Sequence, residues 1–194
     1  MSDRFDKRER PSSLVGQWLG SGLTDPVYDF VSISTTTVGA SSQLTITFNS
    51  IPSTYKHLQI RAIALSASNS VPVLLRFNSD TGSNYSQHYF AGQGALVSSG
   101  GTASTSSITL TGIYARFLDP SNPWSFVIDI LDYANTNKYK TVRSFHGADY
   151  NGSGEINLTS GNWRSTSAIS TITLSMASSG FTQYSQFALY GITG

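Results

Sequence analysis

Residues 124–132 read WSFVIDILD, and the spacing of their apolar side chains decides the fold class. Phe126, Ile128 and Ile130 recur at every second position. A period of two puts them on one face of a β-strand, whereas a helix needs 3.6. The same spacing returns in Leu44-Ile46-Phe48, Leu58-Ile60 and Ile172-Leu174-Met176. Each reads as a strand with one face buried and one wet. Working outward, further strands are expected at 28–37, 43–48, 57–65, 71–77, 85–90, 107–116, 139–146, 155–159, 169–176 and 185–192. Turn residues separate them: Asn78 to Gly82, Gly100-Gly101, Asp119 to Pro123, Ala134 to Asn137, Asn151 to Gly154 and Ser178 to Gly180. The stretch 94–107, GALVSSGGTASTSS, reads as a polar loop or a weak edge strand.

Ten or more strands without a long helix predict an all-β chain, a two-sheet antiparallel sandwich. A jelly roll is the expected form, because eight or more strands in one domain suit two Greek keys. The sandwich is expected to span 28–194 as one domain.

Composition agrees. Charged residues make up 12% of the 194 residues, where about a quarter is usual. Hydroxyl residues take their place, with 33 Ser and 20 Thr. Net charge is +1, too little to build a broad basic face for nucleic acid. There is no cysteine, which excludes disulfides, Cys-ligated metals and thiol catalysis. No segment approaches the ~20 apolar residues of a membrane helix. The charged start, MSDRFDKRERP, lacks the apolar stretch of a secretory signal. Neither nucleic acid nor membrane is expected as a partner.

Seven of the 23 charged residues fall within 1–10. Residues 12–26, SSLVGQWLGSGLTDP, show no clean period. The segment 1–27 reads as an extended N-terminal arm, with a tail of no role as the alternative. Its candidate partner-binding residues are Arg4, Lys7, Arg8, Arg10, Leu14, Trp18, Leu19 and Leu23. A Trp–Leu cluster left exposed invites a partner.

Motifs for chemistry are sparse. Asp80-Thr81-Gly82 spells the aspartic-protease triplet, but that reaction needs two such carboxylates and there is one copy. An Asx-stabilised hairpin turn between 71–77 and 85–90, with Gly82 at positive φ, is the expectation. Asp149, Asn151, Ser153 and Gly154 match the first half of a calcium loop, but its twelfth position is Ser160. A hairpin turn is expected there too. His57, His88 and His146 lack metal-ligand spacing. Asp129 and Asp132 lie three apart on a strand, so they face opposite ways and form no glycosidase pair. No G-x-S-x-G elbow occurs. No metal, cofactor or catalytic residue is expected. Tyr85, Tyr89, Tyr114, Tyr139, Tyr150, Trp124 and Trp163 lie in or beside expected loops, where they would suit sugar or protein contacts as well as a sandwich core.

Five stretches together resemble a module of tailed-bacteriophage virion structural proteins. They are IPSTYKHLQIR (51–61), RFNSDTGSNYSQH (76–88), FVIDILDYANTNKYKTVR (126–143), GEINLTSGNWRSTSAI (154–169) and YSQFALYGI (184–192). The resemblance covers 44–194 and carries no enzymatic residues. It implies a non-enzymatic virion protein: a capsid decoration (cement) protein contacting the major capsid protein or other virion proteins, forming a dimer or trimer, and located in the virion after assembly in the host cytoplasm. The alternative it leaves is a tail, baseplate or fibre component binding a host glycan.

Overall fold

The computed structural model describes residues 30–66, 71–110 and 122–193. Among them there are twelve strands and no helix. The first six are β1 (Phe30–Thr37), β2 (Thr45–Phe48), β3 (His57–Ala64), β4 (Val73–Phe77), β5 (Tyr85–Gln93) and β6 (Leu96–Thr105). The rest are β7 (Ile108–Thr109), β8 (Trp124–Leu131), β9 (Lys140–Asp149), β10 (Gly154–Trp163), β11 (Ile172–Met176) and β12 (Gln186–Ile192). They form an eight-stranded sheet, β1-β12-β3-β8-β9-β10-β5-β6, and a four-stranded sheet, β2-β11-β4-β7. Every recorded pairing is antiparallel.

The order has an internal logic. Strands β1 to β4 alternate between the large and the small sheet, and β7, β8, β11 and β12 alternate on the way back. Each outgoing strand lies beside a returning one: β1 with β12, β2 with β11, β3 with β8, and β4 with β7. Two hairpins, β5–β6 and β9–β10, are inserted into this scheme. They join each other through β5 and β10 and widen the large sheet to eight strands.

The period-two residues point inward and form the core. Leu58, Ile60, Ile128, Ile130 and Val142 of the large sheet cluster with Ile46, Phe48, Leu75, Phe77, Ile172 and Leu174 of the small one. Phe181 and Phe187 meet edge-on at 4.8 Å. Removing one such side chain to Ala typically costs about 2–5 kcal/mol.

Several expectations change. Asp80-Thr-Gly82 does not close a hairpin, because β4 belongs to the small sheet and β5 to the large one. The connection crosses between sheets, and its positive φ angles fall at Asn78 (50°) and Ser79 (56°), not at Gly82. Gly82 is needed for space instead: a Cβ there would lie 2.9 Å from Asn84 Nδ2. The stretch 94–107 contains a full edge strand, β6. The expected strand 107–116 is recorded as Ile108–Thr109, and 111–116 lie outside the described residues. Tyr85 and Trp163 are strand ends turned into the core, as is Trp124, so none of the three is a surface platform. The arm 1–27, with all eight of its candidate residues, lies outside the described residues, as does Tyr114.

Candidate docking face

Strand alternation that buries one face of the large sheet exposes the other. On that outer face Val127, Phe145, Leu158 and Phe90 stand in one row across β8, β9, β10 and β5. They are 36%, 49%, 52% and 50% exposed, so four neighbouring apolar side chains face solvent together. The next row is polar: Asp129, Arg143, Ser160 and His88. Between the rows runs a shallow groove of about 540 Å³. Both rows line it, the polar row forming one rim.

The rim is partly braced. Gln59 Nε2 donates to Asp129 Oδ1 at 2.7 Å, and Arg61 Nε donates to Gln59 Oε1 at 2.8 Å. The Arg61 guanidinium lies over the Phe30 and Tyr190 rings, at 5.0 and 5.8 Å. Asp129 and Arg143 are cross-strand neighbours, yet the ion pairs among the described residues all belong to Asp132.

The inner face of the inserted strands is polar and buried. His146 pairs across the sheet with Asn157, and Asn157 Nδ2 donates to Glu155 Oε1 at 2.9 Å. Ser144 Oγ lies 3.0 Å from His146 Nδ1, and the Phe126 ring stacks on the imidazole at 5.3 Å. Burial drives the His146 pKa down to about 3 and raises that of the Glu155 carboxyl, the Asn157 hydrogen bond opposing the second shift. The imidazole is thus neutral in this setting. Tyr89 Oη, His146 Nε2, Glu155 Oε2 and Asn157 Oδ1 are buried without a hydrogen-bond partner. Sequence reading noticed His146 but missed its pairing with Asn157, because that follows from the β9–β10 register.

The other sequence motifs resolve into structural ties. Asp80 Oδ1 accepts from Gly82 N, and Oδ2 accepts from Asn84 Nδ2 and from Trp163 Nε1 at 2.7 Å. The carboxylate therefore anchors the buried Phe77–Tyr85–Trp163 aromatic cluster. Asp149 Oδ1 accepts from Asn151 N at 2.8 Å, and Asn151 and Gly152 take positive φ, so 149–154 is a hairpin turn. Glu155 points away from that turn into the interior. Among the described residues no three His, Cys, Asp or Glu side chains are placed to hold a metal ion. His57 Nδ1 accepts from Asp132 N, and Asp132 is ringed by Lys56, His57 and Lys138 at one end of the sandwich.

No protein-family model, curated protein or solved structure matches this chain. The function must be argued from the face itself and from the five stretches of sequence.

Proposed function

We propose that the protein is a non-enzymatic structural protein of a tailed-bacteriophage virion, a capsid decoration protein that docks through the outer face of its large sheet and through residues 1–27. The observation that carries the docking role is the exposed row Val127–Phe145–Leu158–Phe90. A sheet whose other face already supplies the core gains only modest cross-strand pairing, about 0.2–1 kcal/mol per pair, from four exposed apolar side chains in a row. Such a patch, with a polar row along one side and the exposed Ile63 and Ile156 on the other, fits a protein–protein contact. The nested strand order, two sets of four strands alternating between sheets, supports a jelly roll widened by two hairpins. That architecture is used in viral capsid domains. The virion assignment rests on the sequence resemblance, and the partner is the major capsid protein or a neighbouring virion protein.

The test is co-sedimentation with phage particles assembled without this protein. Wild-type chain should bind. Phe145→Asp and Leu158→Asp should each reduce binding at least tenfold while leaving far-UV circular dichroism unchanged, since both side chains are half-exposed. Trp18→Ala should weaken binding comparably, as a buried Trp anchor is commonly worth about 2 kcal/mol or more. Undiminished binding by the face variants would remove the outer sheet from the interface.

A second reading has its own support. The groove has the size of a small-ligand site, lined by Phe90 and Phe145 together with Asp129, Arg143 and His88. In that reading the protein belongs to the tail or baseplate and the groove takes a host glycan. Glycan-array binding lost in Asp129→Ala would favour it over decoration.

A further inference from the structure

Among the described residues the two sheets have four edges, and three of them are short or interrupted. Strand β2 has four residues and β7 has two. Strand β1 has eight, but its register breaks between Ser32 and Ser34. The fourth edge, β6, is ten residues long, LVSSGGTAST. Its register with β5 is regular from Leu96 to Thr102 and shifts only near Tyr85. It contains no charged residue and no proline. Edge strands are ordinarily protected from pairing by charge, proline, bulges or brevity, and this stretch of β6 has none of these.

We propose that β6 is a self-association edge: the β6 strands of two copies pair antiparallel about a two-fold axis at Ser99, joining their large sheets into one. The inference does not depend on the virion reading. An isologous contact sets each residue against a residue of the same strand, so any charge would be mirrored nearby. Here nothing is repelled, and the net charge of +1 adds little opposition. Centring on Ser99 puts Val97 opposite Gly101 and Leu96 opposite Thr102, diagonal to Gly100. Val97 and Leu96 are the strand's exposed apolar residues, at 70% and 62%. Each glycine is roofed by a ring from β5. A Cβ on Gly100 would lie 2.5 Å from the Tyr89 hydroxyl, and one on Gly101 would lie 2.6 Å from the His88 ring. Each exposed aliphatic side chain therefore meets an aromatic ring laid over a glycine of the partner strand. Neighbouring strand atoms supply the rest as main-chain hydrogen bonds.

The full-length chain has no cysteine, so a single introduced thiol reports the pairing. Ser99 would face its own copy across the axis, within reach of a disulfide after small adjustment. Mild oxidation of Ser99→Cys should give a covalent dimer, and Ser34→Cys on the opposite edge should form no covalent dimer. Wild type should sediment as a concentration-dependent dimer. Ser99→Lys, which sets like charges face to face at an exposed position, should raise the dissociation constant at least tenfold with unchanged circular dichroism. A monomer at all concentrations, a trimer, or cross-linking through Ser34→Cys in place of Ser99→Cys would overturn the proposal.

Discussion

Asp80 shows how one side chain can look catalytic and act as a tie. Hydrogen bonds from Trp163, then Asn84 and Gly82, hold its carboxyl below the usual carboxylate range, against an opposing push from burial. A depressed carboxylate contributes stability above its unfolded pKa, and the contribution fades as pH falls through the folded value. Asp80→Ala should destabilise by about 1–3 kcal/mol, because the Trp163 indole N–H loses its acceptor. Asp80→Asn, which keeps an acceptor, should cost less; equal melting temperatures for Ala and wild type would dismiss the tie. His146 acts in the same direction by a different route. Buried neutral with a pKa near 3, it binds a proton in the unfolded chain below about 6.5 but not in the folded one. The unfolded state then holds more protons, so stability should fall as pH drops from about 6.5 towards 3, by up to about 1.4 kcal/mol per pH unit. Glu155 has the opposite sign, since its raised pKa lowers stability as pH climbs through its unfolded value towards the folded one. Chemical denaturation of His146→Gln across this range should show a flatter profile, and an unchanged slope would assign the acid loss elsewhere. Neither role was legible in sequence: Asp80 could be placed in a turn, but its bond to Trp163 spans 83 residues.

At the scale of elements, the loop 132–138 is organised by a lysine rather than by its turn residues alone. Lys140 is fully buried, and its ammonium donates to the carbonyls of Asn135, Lys138 and Thr166. Desolvation lowers its pKa. Lys140→Met would leave three carbonyls without that donor, and a loss of about 2–3 kcal/mol is expected in urea unfolding. Asn78 makes a comparable bracket, donating to Ala168 O and accepting from Ser170 N and Thr171 N. The strands themselves were largely legible, because a period of two survives in a single chain. Their ends were not. Strand β10 runs to Trp163, not Thr159, because Ser160, Gly161 and Asn162 hold their register with β5 and β9 despite weak strand propensity. Strand β6, all small residues after Val97, is held by β5 rather than by any pattern of its own.

At the scale of the molecule, alternation tells which face of a strand is buried but not which strand lies beside it. The sandwich could therefore be read from the sequence, while the widening of one sheet to eight strands could not. The exposed apolar row follows from that widening, since Phe145, Leu158 and Phe90 belong to the inserted hairpins. Deleting residues 1–27 removes no described strand, so the shortened chain should still melt cooperatively; a broad, non-cooperative transition would show that the segment is part of the fold. The nested order also bears on how the chain is made. Phe30 pairs with Ile192, and β2 must wait for β11. At about 5–20 residues per second, the first strand emerges from the ribosome roughly 8–30 s before its partner exists. Until then the half-built sheets carry open edges and an uncovered apolar face, so translation of this protein passes through an interval in which a chaperone, or crowding by sister chains, decides between folding and aggregation.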